Sequence, residues 1–507
     1  MNFSMPLNFF KSDEKKCGVC LAVIFIISRL CYMLAGISFN FYYINYLNHF
    51  MDPELLKNRL IETIYYMHCQ PPLFNFYIGL GLKAGDDVIQ NAYFSMSFLV
   101  CGALLFWFLY DLMLKFNINC KIAFFVTAFF MISPAAILYE NWLFYTYPVT
   151  MFLVFSAYCL FNSIQKKNGR YMALFFITLA AIVLIRSMFH IAWFIFITAG
   201  LAFALRKTDS NLAKKTLACA FIPFIIIFSF YAKNYYQFNS FSLSSWFGMN
   251  FAKMAIFSLT PAQRIEAVQG KKVSPLFLQS PFSPLDSYEI DLAKIPLTNI
   301  PVLDQLTDSN GKNNFNNIAY LEISRKYLSD SLNAIKEYPY SYINGVTRSF
   351  FFYFVPASEY PLLYDNSNSI KGFIELFEKV FYLRFKHDDW NKLYYNYAWN
   401  FKKSEMLSNV SYTLLIICPV LFIMGIYRLF LWLKRSGSTL SNDENTELAL
   451  KITFAYIIFN IFYVTLAGNL VEIGENNRFR FMIDPFYLIL FGYFIDGFLK
   501  KYRKSSV

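Results

Sequence analysis

A chain of 507 residues that is 57% hydrophobic and only 15% charged, with repeated apolar runs of roughly 17 to 25 residues, can cross a bilayer many times, since about 20 apolar residues span ~30 Å of hydrocarbon. This composition excludes a soluble globular protein and points to an all-α polytopic membrane fold. The net charge of +12 does not imply a nucleic-acid partner, because Lys and Arg cluster in short segments beside the apolar runs, as the positive-inside rule requires.

In chain order, spans are expected near 17–39, 91–114, 122–139, 148–162, 171–186, 189–205, 216–232, 408–433, 450–468 and 479–498, about ten in all. The first run lacks a small-residue cleavage pattern and exceeds a signal-peptide core, so it is read as a retained helix. Most of the nine cysteines lie in or beside apolar runs, so no disulfide framework is implied; Cys17 and Cys20 read as two small residues at a helix start.

The segment "HCQPPLFNFYIGLGL" (68–82) is left out of the spans. Its apolar stretch is only about a dozen residues, too short to cross, and counting it would move every later basic loop to the opposite side. Without it, Lys11, Lys15, Lys16, Lys115, Lys121, Lys166, Lys167, Arg170, Arg206, Lys207, Lys214, Lys215, Lys434, Arg435 and the basic C-terminal run share one face, which is then cytoplasmic. Residues 40–90 become one large external loop. Within it, Leu56, Leu60, Ile64 and Met67 recur at three-to-four spacing, the pattern of an amphipathic surface helix opened by Pro53. A second helix is expected from the Pro71-Pro72 pair, with His68, Cys69 and Gln70 extended before it. Three units follow: an N-terminal membrane module (1–232), an external region of mixed composition (233–405) and a C-terminal membrane module (406–507).

This topology gathers ionisable groups on the outer face. Asp52 and Glu54 open the first surface helix, with His49 before them and His68 and Gln70 at its far end. Glu140 and Asn141 lie between the third and fourth spans, Arg186 and His190 between the fifth and sixth, and Lys233 and Asn234 after the seventh. Glu472, Glu475, Asn476, Arg478 and Arg480, in "EIGENNRFRF", precede the last span. Singly, each has a plainer reading as a helix cap or dipole partner, a snorkelling cation or an interface histidine. Together they suit the holding of an anionic phosphate while a carboxylate takes a proton from an attacking hydroxyl.

The first span, the long loop with acids at its start and "HxQPPLxN" at its end, the acid after the third span and the late "ENxRFR" resemble the glycosyltransferase C superfamily, nearest the relatives of dolichyl-phosphate-mannose protein mannosyltransferases and bacterial aminoarabinose transferases. The resemblance implies a polyprenyl- or dolichyl-phosphate sugar donor, a lipid, glycan or protein acceptor, and inverting transfer on the non-cytoplasmic side. It casts Asp52 or Glu54 as general base and Glu140 as a second acid. His68, Gln70, Asn141, Arg186, His190, Lys233, Glu475, Arg478 and Arg480 would contact substrate, and a divalent Mg or Mn, where one is used, would fall to Asp52 and Glu140. Relatives carry two adjacent acids in the first loop; here Pro53 separates Asp52 from Glu54 and leaves the choice open. The Phe-, Asn-, Lys- and Ile-rich composition fits an AT-rich bacterial genome, hence an inner membrane and a periplasmic site. The alternative is a lipid-linked sugar transporter or flippase, against which stand the lack of an inverted repeat and the scarcity of mid-span charges other than Arg29.

Overall fold

The computed structural model describes residues 12–288, 297–386, 409–434 and 444–505; Lys11, Arg435 and parts of the expected middle region, 289–296 and 387–405, lie outside them. Helices dominate, and among the described residues the only β pairings are two isolated bridges, Asn40 with Trp142 and Thr307 with Asn313. The N-terminal part contains α1 (Ser12–Leu34), α2 (Pro53–Asn58), α3 (Leu60–Tyr66), α4 (Pro72–Leu82), α5 (Asp87–Lys115), α6 (Cys120–Ile132), α7 (Pro134–Glu140), α8 (Thr146–Gln165), α9 (Gly169–Ile185), α10 (Ile191–Arg206) and α11 (Ser210–Phe238). The middle contains α12 (Phe247–Ser258), α13 (Pro261–Gln269), α14 (Pro301–Asp304), α15 (Ala319–Glu337), α16 (Pro339–Tyr353), α17 (Tyr364–Ser369) and α18 (Lys371–Phe381); α19 (Tyr412–Lys434), α20 (Glu444–Val471), α21 (Asn476–Phe481) and α22 (Asp484–Ser505) follow.

Helices occupy all ten positions where spans are expected, but six (α1, α5, α8, α11, α19 and α20) are long and apolar enough to cross a membrane, or seven if α6 and α7 form one broken span. Of the others, α9 and α10 are shorter, with 17 and 16 residues, and α22 ends in a basic run. The expected span 122–139 is not one helix. It bends by 57° between α6 and α7, because Pro134 opens α7 and holds Ser133 extended, with Ser133 Oγ accepting from the Ala136 amide.

Helix α8 is the hub. Its span window is 83% buried against 11% for α1, and four of its polar side chains bond back into the helix: Thr150, Ser156, Asn162 and Ser163 each donate to a carbonyl three or four residues back. A helix that can hide its polar groups this way can be buried on all sides.

One end of the bundle joins the α5–α6, α8–α9 and α10–α11 turns with the starts of α1 and α20 and the end of α22. Tyr110 donates to Glu14 O, Gln165 to Thr446, and Lys500 to Asn117 O, while Lys167 pairs with Asp209. These are the turns that carry the basic residues. Helices α2 to α4 are each too short to cross; α4, at 11 residues, is roughly 16 Å long. Leu56, Leu60, Ile64 and Met67 are all buried, but the expected single helix breaks at Arg59 into α2 and α3.

Candidate functional site

Three short segments meet at the end of the bundle opposite the basic turns. The first is the turn His49–Asp52. Asn75, in the first turns of α4, clamps it by accepting from the Met51 amide (2.9 Å) and donating to His49 O (3.1 Å). The second is Phe144–Thr146 at the start of α8, and the third is Glu472–Arg480 between α20 and α22. The His49 ring stands edge-on to Phe144 (5.1 Å), Tyr145 (6.0 Å) and Trp246 (5.4 Å).

Tyr145 lies between two guanidiniums. Arg186, extended at the end of α9, covers the rings of Tyr145 (4.9 Å) and Phe479 (4.7 Å) and donates to the Tyr145 hydroxyl. Arg478 covers Phe144 (4.8 Å), donates to Thr146 Oγ1 (3.2 Å) and pairs with Glu475. Glu475 also accepts from the Tyr360 hydroxyl at 3.1 Å, and Lys253 of α12 pairs with Glu472 at 3.1 Å. Arg478 and Glu475, and Lys253 and Glu472, thus neutralise one another. Arg186 has no carboxylate partner among the described residues, and its buried Nε has no hydrogen bond there. Its side chain lines a cavity of about 570 Å³, with His190, Ser324, Arg325, Glu472 and Phe479.

The electrostatics follow from burial and these pairs. Burial pushes the Glu475 carboxyl up, but Arg478, helped by Lys253, overrides it and holds the group well below the usual carboxylate range. Burial raises Glu472 despite Lys253. Burial, with Arg478 and Arg186 nearby, lowers His49 to about 3 against the opposing pull of Glu475, so its imidazole is neutral at pH 7.

Of the residues expected from sequence, the structure brings together Arg186, His190, Glu475 and Arg478. His190 caps α10 through Nδ1, which accepts from the Ala192 amide at 3.2 Å. Asp52 lies on the same turn as His49. It caps α2, accepting from the Glu54 amide (3.0 Å), and receives the Ser309 amide (3.2 Å) and hydroxyl (2.5 Å). Glu54 is exposed and bonded to Asn58.

The remaining expected residues lie apart from this cluster, with partners of their own or buried. Glu140 binds Arg29 through both oxygens (2.9 and 2.6 Å) and accepts from Tyr147 (2.7 Å). Asn141 ends α7 and donates to Ile137 O. His68 is buried, with Nδ1 bonded to Ser245 and its amide to Asn316. Gln70 is buried beside Pro71. Lys233 donates to Tyr65 O and Met67 O, closing the end of α3, and Arg480 donates to Asp484, Tyr353 O and Val355 O.

Asp52 and Glu140 therefore have separate sets of partners, and among the described residues no group of three or more His, Cys, Asp or Glu could hold a metal ion. The residues do not fit a divalent metal shared by these two acids. Sequence reasoning missed Lys253, Tyr145 and Tyr360. Lys253 was findable as the lone cation in the apolar "FGMNFAKMAIFS"; the two tyrosines carry no signal in a chain with 37 of them.

No protein-family model matches the chain, and neither curated proteins nor solved structures show a significant match.

Proposed function

We propose that the protein is a membrane glycosyltransferase that moves a sugar from a polyprenyl-phosphate donor to an acceptor hydroxyl at the non-cytoplasmic surface. The observation that carries this reading is the Arg186 guanidinium, which makes no ion pair among the described residues and lines a cavity at one end of the bundle. A half-buried cation favours an anion beside it, and a phosphate offers the charge and the paired oxygens that the planar guanidinium fork engages bidentately. The membrane-spanning helices around it fit a substrate with a lipid tail.

In this reading the acceptor oxygen attacks the anomeric carbon from the face opposite the phosphate. The C1–O bond to phosphate breaks, the bonding pair leaves with the lipid phosphate against Arg186, and the acceptor proton passes to Asp52. Asp52 is favoured over Glu54 and Glu140 as base because Glu54 is solvated, Glu140 is closed in an ion pair, and Asp52 shares the turn of His49 beside Tyr145. Ten spans, with the basic end in the cytoplasm, complete the proposed arrangement, and no step passes through a metal.

Purified protein in lipid, given radiolabelled polyprenyl-phosphate hexoses and pentoses and a membrane fraction as acceptor pool, should release polyprenyl phosphate. Asp52→Asn should lower turnover by about 10²–10⁴-fold, the usual worth of a positioned base, with the fold intact. Arg186→Ala should lose donor binding and turnover together. Sugar that reaches the opposite leaflet still attached to its lipid would overturn the transferase reading in favour of a flippase.

A further inference from the structure

The turn that holds Asp52 contains a second arrangement that the transfer reaction does not use. Lys312 Nζ donates to Leu47 O and Phe50 O, each at 3.1 Å, and lies 3.2 Å from Asp308 Oδ2. Two carbonyls thus accept from the ammonium, and the buried Asp308 Oδ2, which accepts no hydrogen bond among the described residues, stands within ion-pair distance of it. Two of these oxygens are main-chain carbonyls from the far side of the sequence, 262 and 265 residues away. The pair is nearly sealed from solvent, with side-chain exposures of 11% for Lys312 and 3% for Asp308. Burial lowers the Lys312 pKa, against the pull of Asp308 and Asp52.

The backbone is shaped around this group. Asp308 Oδ1 accepts the amides of Asn310 and Lys312 (3.0 and 2.9 Å), Gly311 turns the chain at φ +78°, and Thr307 bridges Asn313. Ser309, one residue after Asp308, is the residue that bonds Asp52. An ordinary i,i+4 ion pair on a surface would be solvated and worth little; this one is buried and ties the turn 307–313 to the carbonyls on either side of His49.

We propose that Lys312 is the resident cation of this loop, its ammonium holding, in an oxygen cage of Leu47 O, Phe50 O and Asp308, the position that a divalent metal would otherwise take beside Asp52. Carbonyl and carboxylate oxygens are the donors that Ca²⁺ and Mg²⁺ prefer; the cage offers three oxygens, so a metal in place of the ammonium would have to draw its remaining ligands from water. The ammonium fills it with oxygens at 3.1 to 3.2 Å, whereas Ca²⁺ draws its ligands to about 2.3–2.6 Å. Lys312 is thus a positioning residue that fixes the His49–Asp52 turn without metal.

The inference rests on this geometry and not on the transferase reading, so the two fail independently. The full chain in detergent, wild type and Lys312→Ala, is melted with millimolar Ca²⁺ or Mn²⁺ and again after EDTA. The variant should melt several degrees lower without metal, regain much of that loss with metal, and lose it again on chelation; the wild type should not respond. Adding Asp308→Asn to the variant should remove the rescue. If Lys312→Ala folds only when prepared with metal, the inference is supported. A variant that shows no response to metal, or that fails to fold with and without it, overturns the inference, as does a wild type stabilised to the same degree.

Discussion

Arg29 sits inside the first apolar helix, where an isolated guanidinium is costly, and its partner Glu140 lies 111 residues later. Each residue is conspicuous alone: the arginine as a mid-span charge, the glutamate as an acid after the third span. Neither position reveals that they pair, because nothing in residue spacing encodes a contact between separate helices. The pair is enclosed, with side-chain exposures of 13% and 4%, and removing one member leaves the other buried without compensation. Arg29→Ala or Glu140→Gln should therefore lower unfolding stability by about 3–5 kcal/mol, measured as a fall in melting temperature in detergent. Gly102 guards the same place, since a Cβ there would lie 2.2 Å from Glu140 Oε2. Asn316 has a comparable role outside the bundle. Its Oδ1 accepts the His68 and Cys69 amides, and its Nδ2 reaches Tyr66 O and Val302 O. Asn316→Ala should cost at least about 2 kcal/mol, since unmade buried hydrogen bonds cost 1–3 kcal/mol each, and should accelerate amide exchange at residues 68 and 69.

Among the elements, periodicity was legible and breaks were less so. The three-to-four spacing from Leu56 to Met67 marks a buried face, yet gives no warning that Arg59 divides α2 from α3. Pro134 does announce the division of α6 from α7, but it sits inside an apolar stretch that reads as one span. The middle region was opaque for another reason: α12 and α15 pack where small residues permit close approach, and smallness has no period. At Gly248 a Cβ would meet Ser324 O at 1.8 Å, so α12 rests almost on the backbone of α15. Gly248→Ala should separate the two helices and lower stability by about 1–3 kcal/mol, as overpacking does, with proteolysis appearing first between α12 and α15.

For the whole molecule, hydropathy and charge carried the most. They place helices at ten positions and predict that the basic turns share an end, which the Lys500–Asn117, Lys167–Asp209 and Gln165–Thr446 contacts support. They could not sort the polar residues at the other end, because whether an Arg or Glu is free depends on which distant chain segment reaches it. Buried histidines at that end give the molecule an acid limit. Burial, with Lys233 nearby, lowers His68 to about 3, below the unfolded value of about 6.5. The unfolded chain therefore binds the extra proton between those values, and stability is lost as pH falls through that window. The loss from His68 should reach about 2.5 kcal/mol at pH 4.5, with His49 acting in the same direction. Melting temperature should fall between pH 7.5 and 4.5, and His68→Gln should reduce that fall.

The Arg29–Glu140 pair also bears on how the protein is made. Arg29 must enter the bilayer when α1 does, and its counter-ion is translated 111 residues later, a delay of roughly 6 to 20 seconds at the usual pace of about 5–20 residues per second. Through that interval α1, which buries little of its surface in the finished fold, carries a charge that nothing downstream yet balances. The helix must wait at the insertion machinery or near the lipid headgroups until the α6–α7 bend arrives, so docking of α1 becomes a late step of assembly although α1 precedes the rest of the bundle in chain order.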